Sequence, residues 1–96
     1  MEELLKKVGN VATLAVDGFN FITGRESGET WACIVVAHGK KSINAVVGKK
    51  SVFPISDCVA LCAMDVQVEY QGDSEPDTNG AVYPRLRISK YTPKGR

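Results

Sequence analysis

The chain has 96 residues, of which 44% are hydrophobic and 24% charged, the make-up of one ordinary globular domain, so residues 1–96 are read as a single unit. Its formal net charge of +1 rules out a chain that gathers anions by bulk charge. No apolar run nears the roughly 18 residues that cross a bilayer, and residues 1–7 are too charged for a signal peptide, so a cytoplasmic setting, in a cell or a virus-infected host, is expected.

In chain order, residues 3–8 read as one or two helical turns with Leu4, Leu5 and Val8 on one side, too short to stand without packing. Residues 11–22, rich in β-branched and aromatic side chains, read as a strand with a weak point at Asp17-Gly18. The glycines and polar residues of 23–28 make a loop. Residues 29–37 and 41–47 are strands joined by a turn at His38-Gly39-Lys40. The stretch 51–62 is ambiguous: Pro54 argues against a central strand, and Ser56-Asp57 can cap a short helix near 56–62. In 64–71, Met64, Val66, Val68 and Tyr70 alternate with Asp65, Gln67, Glu69 and Gln71, the period of a half-buried strand. A polar loop over 72–80 precedes a last strand over 81–91.

Five strands joined mostly by hairpin-length loops predict a mostly β fold. The expected architecture is a five-stranded antiparallel OB-like small barrel, whose closure removes exposed edges. Three cysteines, Cys33, Cys58 and Cys62, lie among apolar residues and read as reduced core thiols. With His38 they make a poor zinc set, because Cys58 and Cys62 have no second paired motif, so no metal is expected.

Charge is unevenly placed. The last 13 residues carry +5 and residues 1–83 carry −4. Lys40-Lys41 and Lys49-Lys50 form further basic pairs, and acids gather in 73–77. In the last strand Val82, Pro84, Leu86 and Ile88 are expected to face the core, leaving Tyr83, Arg85, Arg87, Ser89 and Tyr91 on one outer face. Such a face suits single-stranded nucleic acid, since arginine grips phosphate and tyrosine stacks on any base. The competing reading pairs Arg85 and Arg87 with Asp65 or Glu69 across the sheet. Arg25 and the single tryptophan, Trp31, make a second candidate surface, with Trp31 readable either as core or as a stacking residue.

Arg25, Gly28 and Trp31, followed by further strands and a final Arg85-Leu86-Arg87, resemble the small dimeric single-stranded DNA-binding proteins of filamentous phages, the gene V protein type. That family has a five-stranded OB-like fold, an arginine-bearing loop followed by a base-stacking aromatic, and a closing Arg-Leu-Arg strand. The resemblance implies a viral, replication-linked homodimer binding DNA. The acidic loop 72–80 and the N-terminal turn depart from the pattern.

The function expected is sequence-tolerant binding of single-stranded nucleic acid, without a cofactor. Arg25, Arg85 and Arg87 are assigned to phosphates, Lys40, Lys41, Lys49 and Lys50 extend the track, and Trp31, Tyr83 and Tyr91 stack on bases. An enzyme is disfavoured: there is one histidine, no nucleophile, Walker or metalloprotease motif, and Asp57 and Asp65 are isolated. The rival is a non-enzymatic protein-interaction module docking through the acidic loop at 73–77.

Overall fold

The computed structural model describes residues 4–38, 40–62 and 64–93, the side chains of 38 and 90–93 excepted. A 3-10 turn at Leu4–Lys6 leads into β1 (Val11–Thr23), β2 (Thr30–His38), β3 (Lys41–Lys49), α1 (Ile55–Leu61), β4 (Met64–Asp73) and β5 (Pro84–Pro93). The five strands form one mixed sheet in the order β1-β2-β3-β5-β4, and β4 pairs in turn with β1. The expectation of an antiparallel sheet is corrected at one seam, where β3 and β5 run parallel through Val46 and Arg85. The cause is the link from β3 to β4, which is no hairpin: it carries α1 and takes the chain across the sheet, as a parallel neighbour requires.

β1 serves both halves of the sheet. Its residues Val11 to Ala15 pair with β4, and Val16 to Thr23 with β2. The register shifts between Val16 and Gly18, at the Asp17-Gly18 weak point, and a bulge of this kind bends a strand.

The core holds Leu4, Val16, Ile34, Val36, Ala45, Leu61, Val66, Val68 and Leu86. Alternation in β4 is realised: Val66 and Val68 are fully buried, and Met64 and Tyr70 pack against the same cluster. The 3-10 turn buries Leu4 and packs Leu5, but Val8 is exposed, so the predicted three-residue apolar side is only two residues wide. Val82, placed in the core by the same alternation argument, is also exposed, because β5 begins only at Pro84.

α1 begins one residue earlier than expected and is capped differently. Pro54 stands at the N-cap in an extended conformation with no side-chain hydrogen bond, so Ser56 and Asp57 fall inside the first turn. Cys33 and Cys58 are buried free thiols, and Cys62 is half-buried. Burial, with Cys58 nearby, pushes the Cys33 thiol up to about 12. The thiolate is the reactive form. At pH 8 an aromatic disulfide reagent should therefore label Cys62 quickly, and Cys33 and Cys58 only as the protein unfolds. Fast labelling of all three in the native state would contradict this packing. Among the described residues, no three His, Cys, Asp or Glu side chains gather as a metal would need.

Candidate nucleic-acid interface

The C-terminal strand does not present the free face that its alternation predicts. Arg87 Nη2 pairs with Glu69 Oε1 at 3.1 Å, on the neighbouring strand. Arg85 Nη2 donates to the Gln71 carbonyl at 2.7 Å. Tyr83 lies before the strand and packs against Ile22, Cys33 and Val46, with its hydroxyl donating to Asp77 Oδ2 at 2.8 Å. A register shift opposite Gln67 and Val68 places Ser89 as an extra residue, which breaks the alternation and sets the Tyr91 backbone opposite buried Val66. The Tyr91 side chain lies outside the described residues. Among the described side chains the expected row is thus corrected to two arginines, each with a protein partner, with Tyr83 turned away from it. The Arg87 pair is weak: its side chain is 64% exposed, and such pairs contribute about 0–1 kcal/mol. A phosphate can compete for it.

Two loops meet above β2 and β3. Gly24 forms a bridge with Asp77, and Arg25 N–H donates to the Pro76 carbonyl at 2.8 Å. Glu75 Oε1 accepts from the backbone N–H groups of Glu26 at 3.0 Å and Ser27 at 2.9 Å. A Cβ on Gly24 would overlap the Glu75 carboxylate, so a glycine is needed for the carboxylate to sit there. Asp77, almost fully buried, organises the second loop: its Oδ1 accepts from the N–H of Asn79 and of Ala81. The acids of 73–77 are therefore turned to internal use. Asp73 joins them, accepting from the Tyr70 hydroxyl at 2.8 Å.

These bonds set the local acid–base chemistry. The Tyr83 hydrogen bond and then the Ala81 N–H hold Asp77 below the ordinary carboxylate range, while the same bond raises the Tyr83 phenol. The Ser27 and Glu26 groups lower Glu75 likewise. Both carboxylates ionise more readily in the folded chain, so the docking they provide is complete above the unfolded carboxylate range and disappears as pH falls through their depressed values. Trp31 emission and loop amide exchange should be flat from neutral pH to about 5 and change below about 4, the usual carboxylate range. A change centred above pH 6 would point to other groups.

Where the loops meet the sheet, Trp31, Val46, Asp73, Ser74, Glu75 and Arg85 line an open cleft of about 220 Å³. Trp31 is half-buried, packed on Ile22, Cys33 and Val46, so it is both core and surface. Lys49 Nζ lies 5.9 Å from its ring centroid and also 3.2 Å from Glu29 Oε2. Lys50 Nζ lies 5.2 Å from the Phe21 ring, which meets Phe19 edge-on at 6.0 Å. Sequence alone does not single out Phe19 and Phe21, because aromatics on a strand read as core. Lys40 and Lys41 are exposed at the opposite end of β3, about 26 Å from Lys49 by strand rise, so the two lysine pairs are not one patch. Arg25 is exposed in the first loop, near Asp77.

Comparison with protein-family models, curated proteins and solved structures gives no match. The Trp31 indole thus borders an open cleft, with Arg85 on its wall and Lys49 over its ring.

Proposed function

We propose that the chain is an OB-like barrel binding single-stranded nucleic acid with little sequence preference, across the outer surface of β2 and β3 between loops 24–29 and 74–83. The strand order, the helix between β3 and β4 and the parallel β3–β5 seam support the OB-like assignment. OB folds bind oligonucleotides and oligosaccharides on that surface and with those loops. The observation carrying the proposal is Trp31, half-buried on the wall of a cleft that it shares with Arg85, with Lys49 over its ring. An indole offers a stacking plane for an unpaired base, and neighbouring cations offer partners for the flanking phosphates. Arg25 and the exposed Arg87 extend the cationic surface, whereas Lys50 sits over Phe21, on the face of the sheet opposite Trp31. Duplex DNA keeps its base faces stacked and gains nothing from the indole. A homodimer binding along one strand would multiply these interactions through effective concentration.

The salt dependence tests the electrostatic half. Removing one cation that neutralises a phosphate should flatten the slope of log K against log salt by about 0.7 for a single strand. Lys49→Ala should therefore flatten the slope by about 0.7 units and weaken binding to any sequence, while Lys50→Ala should leave the slope unchanged. A slope unchanged by Lys49→Ala would remove that lysine from the interface. Docking of a protein through the acidic loop is less supported, because Asp73, Glu75 and Asp77 are already engaged within the chain.

A further inference from the structure

The turn at residues 24–28 holds an anion already. The N–H groups of Glu26 and Ser27, successive along the chain, converge on the single oxygen Glu75 Oε1 at 3.0 and 2.9 Å. Consecutive amides directed at one point form a concavity that takes oxyanions, phosphates among them. The turn is built by its own bond, Gly28 N–H to the Gly24 carbonyl at 3.0 Å, with Gly28 at a φ of +70° that favours glycine. Arg25 adds a guanidinium on the same turn, close enough to Asp77 to lower that carboxyl. Glu75 reaches this seat from 48 and 49 residues away in sequence, so its presence there is a tertiary choice and not a local turn habit.

We propose that the turn is a phosphate site which Glu75 fills in the free protein, and that a backbone phosphate of a bound strand enters by displacing this carboxylate. The proposal rests on the single-strand reading and adds where one phosphate sits and what it must compete with. Displacement also releases residue 75 from the wall of the Trp31 cleft, which widens the cleft as the strand arrives. A carboxylate in the same chain competes at an effective concentration on the order of mM or above. Free phosphate at low millimolar levels is therefore excluded from the wild-type turn. A phosphate on a strand anchored at Trp31 has a comparable local concentration and can win.

The test follows backbone amide resonances during titration with inorganic phosphate. In Glu75→Ala, the Glu26 and Ser27 amides should shift and saturate at millimolar phosphate, while in wild type the same shifts need at least tenfold more. Glu75→Gln keeps the side-chain volume and an acceptor oxygen but drops the charge, so it serves if the alanine variant fails to fold. It should bind phosphate between the two extremes and bind a single-stranded oligonucleotide several-fold more tightly than wild type. Folded variants whose Glu26 and Ser27 amides ignore phosphate would overturn the proposal, whatever the oligonucleotide does. Variants that take phosphate at these amides without binding oligonucleotide would uphold the anion site and reject the single-strand reading.

Discussion

Trp31→Ala should weaken single-strand binding by roughly 5- to 150-fold, the range set by about 1–3 kcal/mol for one stacked base. The ring packs on Ile22, Cys33 and Val46 on one side and borders the open cleft on the other, so the substitution removes both core packing and the stacking plane. The two effects separate with Trp31→Phe, which keeps an aromatic face: it should recover most of the affinity even where stability is not restored. Anisotropy of a labelled oligonucleotide reads binding without needing the indole, and thermal melting reads stability. If Trp31→Phe bound as poorly as Trp31→Ala while melting like wild type, stacking at this position would be excluded.

The larger stability effect belongs to Leu86, which lies between the two arginines that draw the eye in the sequence. Leu86 is 2% exposed and part of the main core, against Val66, Val68 and their neighbours. Leu86→Ala should cost about 2–5 kcal/mol, from the transfer energy of the missing methyl groups and the cavity left behind. At roughly 4–8 °C per kcal/mol for a domain of this size, Tm should fall by about 10 °C or more. Arg87→Ala breaks one exposed ion pair and should change stability by less than about 1 kcal/mol. Within one triplet, then, the leucine holds the fold, while the two arginines lie exposed, Arg85 bonded to the Gln71 carbonyl and Arg87 paired with Glu69. A Leu86→Ala variant melting within about 2–3 °C of wild type would contradict this packing.

Strands were legible wherever alternation was unbroken. Val66 and Val68 point inward with Met64 and Tyr70 beside them, as their spacing predicts, and the Asp17-Gly18 weak point became the β1 bulge. Alternation fails at bulges, because one extra residue changes which face the next side chain takes. Ser89 does this in β5, and nothing in its sequence surroundings announces it. The parallel seam was hidden by the 51–62 stretch, whose helix turned a supposed hairpin succession into a crossover.

The site was legible as residue types and only in part as pairings. The cross-sheet pair of Arg87 with Glu69 is one that strand alternation offers, but the bond from Arg85 to the Gln71 carbonyl and the reach of Glu75 to the 26–27 turn are not. The acidic run at 73–77 reads in sequence as a docking element, and only the fold shows its carboxylates tying two loops together.

The most direct measurement is the intrinsic fluorescence of Trp31 during titration with single-stranded and duplex oligonucleotides of equal length, each at two salt concentrations. A stacking indole flanked by cations predicts saturable quenching by the single strand, weakening steeply as salt rises, and little response to the duplex. Equal quenching by both forms, or single-strand binding indifferent to salt, would contradict it.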